Sequence, residues 1–318
     1  MPSGFAWAFV PVIPMTSSAP SLAHPAARQS ALARQAPVLV VVLALIAIWY
    51  CAAVLMNIGL VRDAFEREET GYTTGDLLSG SLAAERPRLP APHQILATFA
   101  DDIFGYPLTS GRSLVYHSAV TLSETVLGFA LGVVFGIVLA TLIVHMRALQ
   151  KSLLPWIICS QMVPILAVAP IVIVVLGAIG IRGLLPKSII SAYLCFFPVA
   201  IGMVKGLNSP DPIQRDHMKT WSATPAQVFW KLRWPAAVPF LFASLKVAVT
   251  VSLIGAIVGE LPTGAQAGIG ARLLAGSYYG QTVQIWAALL AASLLAAGLV
   301  GVIDLSERWV GRRMGAQP

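Results

Sequence analysis

Residues 216–239 read DHMKTWSATPAQVFWKLRWPAAVP, a charged, helix-patterned stretch set between two long apolar runs. Links between neighbouring elements are usually short. A link this long, with this many cations, points to a cytosolic segment and a docking surface. The chain then reads as one half of a machine driven by another polypeptide, built around a membrane bundle.

The composition supports that reading. The mean hydropathy is +0.78. Hydrophobic residues make up 57% of the 318, and charged residues only 11%, where soluble domains run near a quarter charged. The chain is therefore an all-α integral membrane protein and not a globular enzyme. The net charge of +7 fits cations flanking spans on the cytosolic side. Membrane lipid is thus an expected partner and nucleic acid is not. Cys51, Cys159 and Cys195 lie inside apolar runs, without CxxC or metal-ligand spacing, and read as small core residues. No metal and no cofactor is expected. The first ~35 residues show no tidy cleavable leader.

Runs long enough to cross a ~30 Å hydrocarbon core occur at about 37–60, 118–145, 154–179, 188–205, 239–260 and 284–304. Six spans place both termini on one side. With that side cytosolic, twelve loop cations fall inside, from Arg28 and Arg34 to Arg312 and Arg313, and eight outside. Five of those eight lie in one long, acid-rich outer segment, where the positive-inside rule counts least. The expected layout is a cytosolic tail at 1–36, a first span at 37–60 and a periplasmic segment at 61–117. A core of five spans follows at 118–305, with a cytosolic loop at 206–238, and then a cytosolic tail at 306–318. Within the outer segment Leu89-Pro90-Ala91-Pro92 is a rigid extended step. Pro92 to Ile103 then reads as an interfacial helix with Ile95, Leu96, Phe99 and Ile103 on one face.

Inside the spans, Gly128, Gly132 and Gly136 recur every four residues, a flat stripe against which another helix can pack. Pro155, Pro164 and Pro170 in the third span and Pro198 in the fourth are either static kinks or bends lining a pathway. Glu124 lies in the first third of the second span and is a functional candidate, as intramembrane carboxylates are. Glu260 is expected to reach the outer water layer. Asp304 is expected to pair with Arg308 at i, i+4, and Lys246 to snorkel inward. No embedded acid pair is legible.

The cytosolic segment carries two helix starts. Ser209-Pro210-Asp211-Pro212 begins one helix, running to about Trp221. Thr224, Pro225 and Gln227 form a capping box for a second, which presents Val228, Phe229 and Leu232 beside Lys231 and Arg233. It is expected to end before Pro235. Such a hairpin fits a groove on a protein partner or lies on lipid.

These residues resemble the EAA loop of ABC-importer permeases, E-A-A-x-x-x-G followed about nine residues on by I-x-L-P. Asp216 stands at the Glu position, His217 and Met218 at the Ala positions, Ser222 at the Gly position, and Leu232-Arg233-Trp234-Pro235 at I-x-L-P. Val163 to Pro170, Phe196-Phe197-Pro198-Val199, Gly206-Leu207, Leu89 to Pro92 and Gly128-Phe129 are similar to the nitrate/sulfonate/taurine branch, which includes importers of pyrimidine vitamin precursors. The resemblance spans roughly residues 85–310. It implies a six-span type I importer permease in the bacterial inner membrane, moving a small solute by alternating access. It also implies a homodimeric pathway, a periplasmic solute-binding protein and a separate ATPase dimer. The ATPase would touch Asp216, Ser222, Ala223, Thr224, Pro225, Val228, Phe229, Lys231, Arg233 and Pro235. No G-x-x-x-x-G-K-[ST] motif is present, so ATP hydrolysis belongs to that other subunit. Two departures stand out: Ser222 replaces the turn Gly, and Glu124 stands where many relatives carry a basic residue. The rival reading is an ion-coupled secondary transporter, which calls for internal repeats and broken helices. A membrane enzyme would need a His cluster or nucleophile set that the five His do not form.

Overall fold

The computed structural model describes residues 31–69, 71–262 and 266–314. The first thirty residues of the expected tail at 1–36, the reading of its leader and the last four residues lie outside them. The described residues form helices joined by turns and short links, without strands. In chain order the helices are α1 (Ala31–Arg67), α2 (Thr74–Ala83), α3 (Pro92–Phe104), α4 (Leu114–His145), α5 (Arg147–Ser160) and α6 (Ile165–Ala178). They continue with α7 (Leu184–Leu207), α8 (Pro212–Thr220), α9 (Pro225–Val228), a π-helical turn (Phe229–Arg233), α10 (Trp234–Glu260), α11 (Ile269–Tyr278) and α12 (Thr282–Arg313). Five helical segments are long and apolar enough to cross a membrane, or six if α5 and α6 count as one bent span.

The chain divides into two compact units, Met1–Ala47 and Ile48–Pro318. The described part of the first is the apolar start of α1, with Val38 to Ile46 exposed. In the second unit, α7 lies between α4 and α10. The glycine stripe explains one side of that packing. A Cβ added at Gly128 would lie 2.4 Å from Ser191 Cβ, one at Gly132 2.8 Å from Cys195 Sγ, and one at Gly136 2.9 Å from Phe196 O. On the other side Gly255 of α10 meets Ser191, its added Cβ falling 2.7 Å from Ser191 Cα. Buried hydroxyls join the three helices. Ser191 Oγ donates to Ser252 O at 2.7 Å, and Ser252 Oγ donates to Thr125 O at 3.1 Å. Each hydroxyl thereby satisfies a hydrogen-bonding need that apolar surroundings would leave unmet.

Several boundaries depart from the sequence reading. The first helix runs on to Arg67 and the last to Arg313, so neither stops at its apolar run. The third run is broken rather than merely kinked: α5 and α6 are bent by 99° across a break at 161–164. Pro164 sits at the N-cap of α6, while Pro155, Pro170 and Pro198 lie within helices.

The expected interfacial helix is α3. It buries Ile95 and turns Phe99 and Ile103 toward α4, α11 and α12, but leaves Leu96 59% exposed. The extended step before it is fixed by Asn57, a residue the hydropathy pattern hides inside α1. Its amide donates to Ser81 O and Leu89 O, and its carbonyl accepts from Arg88 N and Leu89 N. All four of the carboxamide's bonding positions are thus used. Trp49 adds a bond from Nε1 to Pro90 O at 3.1 Å.

Candidate functional site

The hairpin after α7 is built from its caps. Asp211 is the N-cap of α8, with Pro212 at N1, and Asp211 N donates to Gln214 Oε1 at 3.2 Å. Thr224 caps α9: its Oγ1 accepts from Gln227 N, and Thr224 N donates to Gln227 Oε1 at 2.9 Å. Between the helices Ser222 has φ +52°, so the turn requires the left-handed conformation that glycine adopts without penalty and serine does not. Lys219 Nζ donates to Asp216 Oδ1 at 2.8 Å. That bond, and then the charge behind it, hold the exposed Asp216 carboxyl below its usual range. A cleft of about 470 Å³ between the two helices is lined by Pro212, Arg215, Asp216, Lys219, Val228 and Arg233.

The second helix does not end before Pro235. The turn Phe229–Arg233 widens to π geometry, with Trp234 N donating to Phe229 O, and the chain passes directly into α10. The wider turn accommodates the extra residue, and Pro235 falls in the first turn of α10, where its missing N–H costs least. The hairpin is therefore welded to a span.

Phe229, expected among the exposed aromatics, is 9% exposed and packs in the core with Leu207 and Met203. The His145 ring at the end of α4 lies 5.3 Å from it. The exposed aromatics are Trp221 and Trp230, at 78% and 62%, beside exposed Ile213. Thr224, Pro225 and Lys231 are exposed; Ala223, Val228, Arg233 and Pro235 are half-buried.

At the opposite end of the bundle, residues far apart in sequence converge. Lys187 Nζ donates to Glu124 Oε1 at 2.7 Å, and both side chains are largely buried. Glu260 is fully buried and does not reach water. It accepts from Thr121 Oγ1 at 2.7 Å and from Gly270 N at 2.5 Å. Ile269 N donates to Thr121 Oγ1, and Gly268 N donates to His117 Nδ1 at 3.0 Å. α11 is thereby tied to α4. Glu124 and Glu260 are both buried, and Glu260 bonds to Thr121, one turn from Glu124 on α4, so two embedded acids come together that linear spacing did not reveal. Beside Lys187 a cavity of about 720 Å³ is lined by Ile173, Gly177, Arg182, Pro186 and Gln266.

The remaining charges also find unforeseen partners. Asp304 pairs with Lys246 across helices at 2.5 Å rather than with Arg308, and Glu307 joins it at 2.6 Å. Arg272 Nη2 donates to Asp102 Oδ2 at 3.0 Å. Among the described residues no group of His, Cys, Asp and Glu could hold a metal ion.

A bundle of five or six spans, with a capped helical hairpin continuous with one of them, defines a multi-pass transport permease. The chain belongs to the family of binding-protein-dependent transport system inner membrane components, which it matches over residues 132–316. It is 33% identical over 202 residues to a probable ABC transporter permease protein of Haemophilus influenzae, covering 61% of this chain and 80% of that one. It is 30% identical over 194 residues to the formylaminopyrimidine transport permease protein ThiX of Halalkalibacterium halodurans, covering 61% of this chain and 72% of the relative. It is 30% identical over 227 residues to the riboflavin transport system permease protein RibX of Chloroflexus aurantiacus, covering 70% and 80%. These relatives are permeases, not enzymes.

Proposed function

We propose that the chain is the transmembrane subunit of an ATP-driven importer and works as two identical copies that share a central solute pathway. Both termini and the hairpin lie in the cytosol, where a separate ATPase dimer docks on residues 206–235. Asp216, Ser222, Ala223, Thr224, Pro225, Val228, Lys231, Arg233 and the exposed Trp221 and Trp230 form or border the contact. Phe229 and Pro235 serve behind it, joining the contact to α10. Closure of the ATPase dimer pulls the hairpin, and the spans rock between outward and inward openings. A periplasmic binding protein delivers the solute. The solute is a small molecule of the sulfonate, nitrate, taurine or pyrimidine-precursor class.

The observation that carries this reading is the π-helical joint. A surface hairpin on a flexible tether could bind a partner without moving a span. Here the last turn of the hairpin runs without a break into the first turn of α10, so displacement at the surface is displacement of a transmembrane helix.

The test is Lys231→Glu together with Arg233→Glu, and separately Ala223→Glu. Each is expected to abolish co-purification of the ATPase and solute uptake, while the permease still reaches the membrane. Intact complex and intact uptake in these variants would remove the docking claim. Uptake that survives ATP depletion but collapses with the ion gradient would favour the secondary transporter.

A further inference from the structure

An α-helix begins with N–H groups that its own turns cannot satisfy. At the start of α11, side chains of other helices meet three of them. Gly268 N, at the N-cap, donates to His117 Nδ1 at 3.0 Å. Ile269 N donates to Thr121 Oγ1 at 2.8 Å, and Gly270 N donates to Glu260 Oε2 at 2.5 Å. Thr121 Oγ1 donates in turn to Glu260 Oε1. The fit is close: Gly268 has φ +117°, and a Cβ there would fall 2.2 Å from Glu260 Cδ. His117 differs from the other two caps because its partners fix its proton. A backbone N–H only donates, so Nδ1 carries a lone pair. Gly111 O, 2.9 Å from Nε2, only accepts, so Nε2 carries the hydrogen. The buried ring is therefore held neutral, in one tautomer. A second proton would set N–H against N–H at Gly268 and place a cation at the positive end of α11. The Thr121 hydroxyl and the Glu260 carboxyl, in contrast, keep acceptor lone pairs in every protonation state.

We propose that His117 is an acid-sensitive latch on α11: neutral, it ties the start of that helix to α4, and protonated, it releases Gly268 and the tie with it. The surrounding charges do not offset the lost bond. Arg272, one turn along α11 from Gly268, bonds to Asp102 of α3 at 3.0 Å, so that carboxylate is already engaged. One turn deeper stand Glu260 of α10, held by Thr121 and Gly270, and Glu124 of α4, held by Lys187 of α7. On its own element the ring meets Tyr116 edge-on at 5.7 Å, and Arg112 is exposed in the turn before α4. The charged residues of α12 begin only at Asp304. The sign follows from the bonds: the closed latch holds a neutral ring, so acid favours opening and alkali favours closing. On the orientation proposed above this end of the bundle faces the periplasm, where the latch meets the outside pH. The tie itself depends on neither the solute nor the ATPase.

The experiment is hydrogen exchange of the full chain in lipid nanodiscs, read by mass spectrometry and corrected for the intrinsic pH dependence of amide exchange. A freed histidine titrates at ~6.5, so opening at Gly268, Ile269 and Gly270 should rise about tenfold between about pH 7.5 and about pH 5.5. Amides of α7 around Ser191 should show no such rise. His117→Asn keeps a side-chain acceptor but cannot gain a charge, so its opening should not change with pH. No rise in the parent protein, or a rise that persists in His117→Asn, overturns the latch. Should the Asn variant not fold, nitrogen NMR of the histidine-labelled parent decides at neutral pH. An unprotonated Nδ1 with a protonated Nε2 is expected at His117, and a protonated Nδ1 overturns the assignment. Co-purification of the ATPase reports on docking and not on this latch, so the two claims fail separately.

Discussion

The Glu124–Lys187 pair gives the most quantitative prediction. The contact is 2.7 Å, with the side chains 2% and 13% exposed. Truncating one partner leaves the other charge buried and unpaired, at ~3–5 kcal/mol, whereas replacing both with apolar residues is often close to neutral. The two single variants should not be equal. Glu124→Leu leaves Lys187 beside a cavity of about 720 Å³, into which water and the flexible stem can move, so its cost belongs at the lower end. Lys187→Leu leaves a carboxylate whose Oε2 is already buried without a partner, so its cost belongs at the upper end. Glu124→Leu with Lys187→Leu should recover most of the loss, costing about 1 kcal/mol, which makes the coupling energy about 7 kcal/mol. In thermal melts of the detergent-solubilised protein Glu124→Leu should fall by about 9 °C and Lys187→Leu by about 15 °C, at roughly 2–4 °C per kcal/mol. The double variant should return to within a few degrees of the parent. Single variants that melt with the parent, or losses that simply add in the double variant, would refute the view that this pair is a buried, mutually dependent contact.

Two further outcomes follow from backbone geometry. Ser222→Gly should tighten the hairpin by about 0.5–1 kcal/mol, the left-handed penalty of ~1–2 kcal/mol being partly offset by glycine's greater freedom when unfolded; slower proteolytic nicking near residue 222 would show it, and faster nicking would contradict it. Gly128→Ala should destabilise the protein by about 1–3 kcal/mol through overpacking against Ser191 and Ser188 O. Gly298→Ala, where an added Cβ meets nothing within 4 Å, should melt with the parent protein.

What the sequence made legible is what repeats locally. The apolar runs, the four-residue glycine spacing, the helix start at Asp211-Pro212 and the capping box at Thr224 each depend on neighbours within a few positions, and each appears in the structure. The misjudged features depend on distant partners. Glu260 lies 139 positions from Thr121, yet bonds to it. Lys246 finds Asp304 across helices although Arg308 lies one turn from that acid. Phe229 has the exposed-aromatic look of a docking residue until Leu207, Met203 and His145 close over it. Pro235 suggested a helix end, because a proline normally breaks an α-helix, and the widened turn that lets the helix continue has no one-residue signature. Prolines at 155, 164 and 170 signalled a bend in the third run, but they could not say that the chain breaks between 160 and 165.

The close approach along Gly128, Gly132 and Gly136 has a mechanical consequence. Where side chains separate two helices, rotamer changes let one slide over the other. Here α4 meets α7 with almost nothing between the backbones, and Gly255 brings α10 equally close to Ser191 on the far side. The three helices form a stiff slab with little internal slip. A displacement of any one of the three must tilt that slab as one piece, and compliance has to reside in the thinner parts around it.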